Sequence, residues 1–187
     1  MKLEFETKRL FIREYSKKDL DAFIRVTSQL SVRATTYGIP DDYTKSYAKK
    51  WFKYLKKSMR DMEGYEFGMF LKDSGEYIGN VGLINVSMIH NHADITYYTD
   101  EKYRNMGYTS EAGHEMLRFG FECLGFEKIS GLCMTVNPSS RRVMEKLGMK
   151  YEGVMRDELL KNGRYFDIER HSILRNEYFT NSKVESC

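Results

Sequence analysis

The stretch YRNMGYTSEAGHEM, Tyr103 to Met116, puts an arginine, one glycine and two hydroxyl residues at the start of an amphipathic helix pattern. That combination can hold an anion. The first turn of a helix has backbone N–H groups without intrahelical partners and carries the positive end of the macrodipole. Gly107 lets the chain turn tightly and lets backbone approach a ligand with no Cβ in the way. Thr109 and Ser110 add hydroxyl donors, and Arg104 adds a permanent cation suited to phosphate. Each charge-assisted bond to a diphosphate contributes about 1.5–3 kcal/mol. Helix starts bind anions for these reasons. The common nucleotide loops do not fit: no Gly-Lys-Ser/Thr is present, and neither is the three-glycine dinucleotide pattern. Taken alone, the stretch also fits an exposed loop followed by a capped helix.

The other reactive residue types point to less. Cys123, Cys133 and Cys187 are odd in number and widely spaced, so they form neither a disulfide framework nor a zinc site. Cys123 falls on an apolar helix stripe and Cys133 in an apolar strand run, and both read as buried structural thiols. His90, His92, His114 and His171 show no ligand spacing, and no metal is expected. Trp51 reads as a core residue.

The elements that position these residues belong to one domain spanning residues 1–187. Hydrophobic residues make up 41% of the chain and charged residues 30%, enough for a sizeable core under a charged surface. No apolar run approaches 18 residues, so no membrane span is expected. The N-terminal residues alternate charged and apolar types without a signal-peptide core, and a reducing cytoplasm fits the cysteine usage. A net charge of +3 gives no reason to expect nucleic acid. Its distribution is uneven: residues 1–60 hold 15 Lys/Arg against 7 Asp/Glu, the remainder 15 against 20.

FETKRLFIREY alternates like a first strand, and SKKD offers Ser16 as N-cap with Asp19 closing a capping box, opening a helix to about Leu30. A second helix should start near 41–44, after Pro40. Its apolar stripe is Tyr47, Trp51, Tyr54, Leu55 and Met59, with a row of lysines opposite. EFGMFL and EYIGNVGLINV flank KDSG as a hairpin, with Gly79 and Gly82 marking a bulge or close approach. ADITYYT is a further strand, and alternation along it sends Tyr97 and Tyr98 to opposite faces. A helix over 111–124 follows. KISGLCMTV is a strand, and SSRRVMEKLGM a short helix ended by Gly148. YEGVMRDELL and YFDIERHSIL close a hairpin around KNGR. This order predicts an α/β sheet, antiparallel at first and with crossover helices later.

ADITYYTDEKYRNMGYTSEA, VNPSSRRVMEKLGMKYEGVMRD and NGRYFDIERHSILRNEY together resemble the GNAT acetyltransferase superfamily. The branch they resemble includes ribosomal-protein N-terminal acetyltransferases. The resemblance covers nearly the whole chain. It implies a GNAT fold: a single mixed, strongly twisted sheet of about seven strands flanked by four helices. The family's loop reads Arg/Gln-x-x-Gly-x-Gly/Ala, and Thr109 departs from the small residue usual at its end. Acetyl-coenzyme A is the implied co-substrate. Its diphosphate would meet Arg104, Asn105, Met106, Gly107, Tyr108, Thr109 and Ser110. Its pantetheine arm would lie along Ile95, Tyr97, Tyr98 and Thr99, with Asn137 and Ser140 bordering it.

The resemblance implies direct transfer of acetyl to a primary amine, either a protein N-terminus or a small molecule, in a monomer or homodimer. An α-amine near pKa 7.7–8.0 costs roughly 1 kcal/mol to deprotonate at neutral pH, and a lysine-like amine over 4. Ser140 is the candidate acid for the leaving thiol. Its other reading is a helix hydroxyl that caps or contacts coenzyme. Glu158, with Asp157 behind it, is the candidate base, and Asp167 reads as structural. The lysine-rich second helix could steer an acidic acceptor, or be simply a solvated face. A coenzyme-binding regulator without catalysis stays a rival reading.

Overall fold

The computed structural model describes residues 3–36, 39 and 44–184, with side chains described as far as Thr180. Eight strands form one sheet: β1 (Glu4–Glu6), β2 (Leu10–Arg13), β3 (Tyr65–Leu71), β4 (Tyr77–Ser87), β5 (His92–Thr99), β6 (Lys128–Met134), β7 (Lys150–Lys161) and β8 (Arg164–Leu174). They lie in the order β1-β2-β3-β4-β5-β6-β8-β7. Every pair is antiparallel except β5 and β6. The helices are α1 (Leu20–Thr27), α2 (Leu30–Thr35), α3 (Lys45–Arg60), α4 (Tyr108–Arg118), α5 (Pro138–Lys146) and α6 (Arg175–Val184).

Among the described residues two counts differ from expectation, each for a local reason. FETKRLFIREY makes two strands rather than one, which raises seven strands to eight. Thr7 N–H donates to Leu10 O at 3.0 Å and turns the chain, while Thr7 Oγ1 and the Arg9 N–H both donate to Glu111. The expected four helices become six. The Ser16 capping box does form, its N–H and hydroxyl donating to Asp19 at 2.7 and 2.8 Å. The helix it opens breaks at Gln29, whose ψ of 130° is extended, and restarts as α2. The sixth, α6, has weak amphipathic patterning. Tertiary contact holds it: Tyr178 stacks on Phe121 at 5.0 Å, and Arg175 donates to the Phe121 carbonyl. Helix α3 starts at Lys45, capped by Thr44 Oγ1, which accepts from Tyr47 N–H at 3.2 Å. Residues 40–43 and Cys187 lie outside the described residues.

Alternation along the strands divides two cores. Leu10 and Ile12, Phe67 and Met69, Val81 and Leu83, and Ala93 and Ile95 face α4, whose Ala112, Met116 and Leu117 pack on them. Phe11, Phe70 and Tyr98 face the other way, toward Phe23 and Val26 of α1 and Ala48 and Leu55 of α3. Tyr97 and Tyr98 therefore do point to opposite faces. After Arg118 the helix widens into one π turn, with Leu124 N–H reaching back five residues to Phe119 O at 3.0 Å. The wider turn rotates the residues after it. Cys123 leaves the apolar stripe and is exposed, contrary to the sequence reading, whereas Cys133 is buried as expected.

Gly79 sits at the bulge where the β3–β4 register shifts between Met69 and Phe70. A Cβ there would lie 2.2 Å from the carbonyl oxygen of Tyr98, and its φ is +156°. Gly75, in the hairpin turn, has φ +71° and nothing within 4 Å of an added Cβ. Gly79→Ala should cost at least about 2 kcal/mol through overpacking and backbone strain. Gly75→Ala should cost about 1 kcal/mol, the left-handed penalty alone. Urea denaturation midpoints check the pair; equal losses would deny the close approach of β4 to β5 any part in stability.

Candidate active site

Strands β5 and β6 pair only from His92–Lys128 to Ile95–Gly131. Beyond that row they separate. β5 stays with β4, pairing Thr96 to Thr99 with Gly82 to Gly79, and β6 stays with β8 through Leu132, Cys133 and Met134. The bulge at Gly79 sharpens the twist of the β3–β4–β5 block, as bulges do. Helix α5 packs on β6 where Gly131 leaves room: a Cβ there would lie 2.5 Å from Met144 Sδ. The result is a wedge whose one wall is the β6-side edge of β5 from Thr96 to Thr99, which no strand pairs.

At the open end of β5 stands the loop of the anion pattern. Asn105 and Gly107 both have positive φ, 61° and 82°. Gly107 is the N-cap of α4 and offers no side-chain cap, and the first backbone bond of the helix runs from Glu111 N–H to Gly107 O at 3.0 Å. The N–H groups of Tyr108, Thr109 and Ser110 are therefore left without intrahelical acceptors. Arg104 Nε donates to Thr99 O at 3.2 Å and keeps its guanidinium beside the loop. Thr109 turns its hydroxyl back to Thr99 Oγ1, 2.7 Å away, so its bulk faces the strand rather than the loop mouth. That accommodates the departure from a small residue.

The loop rests on a residue the sequence reading missed. Arg9 Nη1 donates to Met106 O at 2.9 Å, its guanidinium lies 4.2 Å from the Tyr108 ring centroid, and its Nε donates to Glu111 Oε2 at 2.6 Å. Its 102-residue separation from Glu111 left no local signal. Burial pushes the Glu111 carboxyl up, but bonds from Thr7 and Arg9 outweigh it and hold the group below its ordinary value.

Helix α5 closes the other wall. Pro138 occupies its first turn, and Asn137 Oδ1 accepts from Ser140 N–H at 3.3 Å, which leaves the Asn137 amide nitrogen as a donor. Tyr97 Oη lies 2.9 Å from Ser140 Oγ and donates to Ser140 O at 3.1 Å. Burial raises the Tyr97 hydroxyl well above its ordinary value, so it stays protonated. Cys133, on the splayed part of β6, is pushed up to about 11 by burial and then by Glu169, and is a thiol rather than a nucleophilic thiolate.

An acetyltransferase (GNAT) domain model matches residues 9–150. The chain belongs to the GNAT acetyltransferase family. The uncharacterized N-acetyltransferase YnaD of Bacillus subtilis is 30% identical over 177 residues, 94% of this chain and 99% of that protein. The putative ribosomal N-acetyltransferase YdaF of Bacillus subtilis is 26% identical over 138 residues, 74% of this chain and 72% of that protein, in keeping with the branch resemblance. A solved spermidine N-acetyltransferase from Vibrio cholerae, in complex with CoA and spermine, matches with a TM-score of 0.80 at 22% identity, covering 91% of this chain and 98% of that one. The protein is an acetyl-CoA-dependent N-acetyltransferase, and the strand wedge and helix start fit that coenzyme: free amides for phosphates and an open strand edge for an amide-bearing arm.

On the α3 face of the GNAT sheet, the centre is polar. Glu66, Asn80, Thr96 and Tyr98 share this face, with Tyr15 and Tyr77 above them. Asn80 Nδ2 donates to Tyr15 Oη at 2.9 Å, and Tyr77 Oη lies 3.1 Å from Tyr98 Oη. Asn80 Oδ1 is buried without a partner. Beside Glu66, toward the far end of β4, a cavity of about 360 Å³ opens, lined by Trp51, Tyr54, Glu63, Glu66, Asn85 and Val86. Trp51 is thus a cavity wall, stacked on Tyr54 at 5.0 Å, rather than pure core. Asn85 donates to Asp94 at 2.9 Å, which brings a third carboxylate to the cavity's edge.

Of the expected coenzyme residues, Tyr97, Tyr98 and Thr99 lie on the stretch of β5 that β6 leaves, Arg104 to Ser110 follow at its end, and Asn137 and Ser140 stand on the α5 side, whereas Ile95 is the last residue still paired with β6. Glu158 does not join them: it is exposed within the β7 bulge between Met155 and Leu159, and no hydrogen bond ties it to Ser140 or Tyr97. Asp167 acts on backbone, accepting from Asp157 N–H at 2.8 Å, where Asp157 has φ 52°. Among the described residues no group of three His, Cys, Asp or Glu is arranged to hold a metal, and no helix is long and apolar enough to cross a membrane.

Arg9→Ala should weaken coenzyme binding about tenfold, a loss of about 1.4 kcal/mol, by releasing Met106 and Tyr108. Calorimetric titration with the coenzyme checks it. Glu111 adds a pH dependence. Its folded-state value is lowered, so its stabilisation is present above the ordinary glutamate value of 4.5 and is lost as pH falls through the lowered one. Thermal unfolding of Glu111→Gln should accordingly show a shallower loss of stability below that pH than the parent.

Proposed function

We propose that this GNAT enzyme passes acetyl directly from acetyl-CoA to a small cationic primary amine. The observation that carries the acceptor class is the cavity on the α3 face: two aromatic rings and the carboxyls of Glu63 and Glu66 suit a desolvating ammonium. A protein N-terminal amine is the second reading. It is favoured by the exposed lysine row of α3 (Lys49, Lys50, Lys53, Lys56 and Lys57), which would draw an acidic polypeptide.

The residues divide the work. The amides of Tyr108, Thr109 and Ser110, with Arg104, bind the diphosphate. The open edge of β5 from Thr96 to Thr99 pairs with the pantetheine arm as an added strand would, and Asn137 donates its amide nitrogen to it. The bound coenzyme supplies an activated thioester with a leaving thiol near pKa 8.5. Ser140, held by Tyr97, delivers a proton to the departing sulfur. Holding amine and thioester in reach, and a backbone N–H on the developing oxyanion, provide most of the acceleration. Cys133, kept as a thiol, takes no acyl group.

Release of free thiol from acetyl-CoA, run against polyamines, aminoglycosides and N-terminal peptides, tests the reading. Polyamines should exceed peptides in kcat/KM by at least about tenfold, the worth of one desolvated cation–π contact with its carboxylate. Peptides ahead of polyamines would move the assignment to protein N-termini. Gly107→Val should abolish measurable coenzyme binding, since a β-branched residue at φ +82° costs about 1–3 kcal/mol and its bulk blocks the amides. Ser140→Ala should lower kcat by about 10²–10³ with coenzyme affinity little changed if the hydroxyl is the acid; equal losses in both would make it a binding group only.

A further inference from the structure

Three features of the α3 face converge on one residue. Glu66, Gly82 and Thr96 lie directly opposite one another across β3, β4 and β5. Thr96 is the first residue of β5 past the last parallel pair with β6. Gly82 has no side chain to stand between them, and the Glu66 side chain already occupies its place: a Cβ on Gly82 would meet Glu66 Cα and Cγ at 2.8 Å each. Glu66 therefore leans along the row that ends at the mouth of the wedge. It also lines the acid-and-aromatic cavity under Trp51 and Tyr54.

We propose that Glu66 is the catalytic base of this GNAT enzyme, taking the proton from an ammonium held in the cavity and delivering the neutral amine across the Gly82 row to the acetyl group at the wedge. The inference rests on the reading of the protein as an acetyltransferase for a cationic amine. One proton passes from the ammonium to the Glu66 carboxylate and on to water. The amine nitrogen then forms the C–N bond as the C–S bond breaks. The second proton the nitrogen loses matches the one the departing sulfur receives from the Ser140 side.

The surroundings suit a base that works near neutrality. Burial pushes the Glu66 carboxyl up to about 7, and a bond from Asn80 only partly opposes that. The groups facing it are Glu14 and Tyr15 after β2, Lys56 and Ser58 on α3, Glu63 before β3, Asn80 on β4, and the hydroxyls of Tyr77 and Tyr98 beyond. Lys56 does not hold the Glu66 carboxyl down; the bond from Asn80 is what opposes its burial. Glu158, exposed in the β7 bulge, has none of this enclosure.

The test uses the pH profile of kcat/KM with acetyl-CoA and a series of primary amines of different basicity. The wild type should gain activity as pH rises through about 7, at a position that does not move with the amine's own pKa. Glu66→Gln should lose that limb and lower kcat/KM by roughly 10²–10⁴-fold, with coenzyme affinity unchanged. Glu66→Asp should keep the limb and recover part of the rate, which serves also should the glutamine variant fail to fold. Full activity in Glu66→Gln, or a wild-type limb that follows each amine's basicity, overturns the assignment while leaving the enzyme an acetyltransferase. Peptides ahead of polyamines, with the limb still lost in Glu66→Gln, would overturn the acceptor class and keep the base. Thiol release with no amine at all would overturn both.

Discussion

A β-strand that loses its neighbour part-way must satisfy its backbone groups elsewhere, and that constraint organises this molecule. β5 keeps β6 for four residues and then runs four more with only β4 beside it. Buried N–H and C=O groups left unpaired cost free energy comparable to a lost hydrogen bond. Water or a ligand with amides of its own can supply the partners. The helices on either side make the ligand the better answer. α4 presents three amides that no side chain caps, and α5 spends its Asn137 oxygen on its own first turn while keeping a donor for the gap. Strand edge, uncapped amides and donor all point into one wedge. The glycines at 79 and 131 let it form, by bringing β4 under β5 and α5 onto β6.

The two faces of the sheet divide the labour. The α4 face is a continuous apolar core, with Phe67, Val81, Leu83 and Ile129 fully enclosed, and it carries the stability. The α3 face gives up part of that burial to polar groups. Asn80, only 1% exposed, has an oxygen with no partner, and Glu66 sits in surroundings that disfavour its charge. An unsatisfied buried polar group costs roughly 1–3 kcal/mol. Folding alone offers no reason to keep such a cluster at the centre of a sheet, next to aromatic walls. Chemistry at the adjoining wedge does.

The sequence showed its local patterns well and its distant ones poorly. Strand-forming runs between turn residues located β3 to β8, and helical spacing located α3, α4 and α5. The type of turn was legible where backbone demands it: Asn162 and Gly163 in the last hairpin both have positive φ. The uncapped helix start was legible in Gly107. What escaped depends on contacts between segments far apart in the chain. The break of the first strand follows from Glu111 gathering Thr7 and Arg9. The exposure of Cys123 follows from a π turn that no periodicity announces. α6 exists through Tyr178 on Phe121. Glu158 was the candidate base in the sequence, whereas the enclosure of Glu66 arises only when β3, β4 and α3 meet.

The two faces of the sheet are also mechanically connected at the end of β5. Asp100, 1% exposed and directly after β5, provides the connection. It accepts from Arg25 of α1 at 2.5 Å, from Gln29 at 3.0 Å and from the Lys102 N–H at 3.1 Å. Burial opposes its charge, yet those bonds together hold its carboxyl below the ordinary value, so it is ionised at neutral pH. One buried carboxylate thus fastens the helices of the acceptor face to the strand end from which the anion loop departs. Arg104, bonded to Thr99 O one residue earlier, is positioned by the same strand end. A shift of α1 would therefore be felt at the strand end from which the Arg104–Gly107 loop departs. The exposed lysines of α3 stand outside this connection. Of that row, Lys56 lines a pocket with Glu66; the charge of the others is screened over about 8 Å at physiological salt.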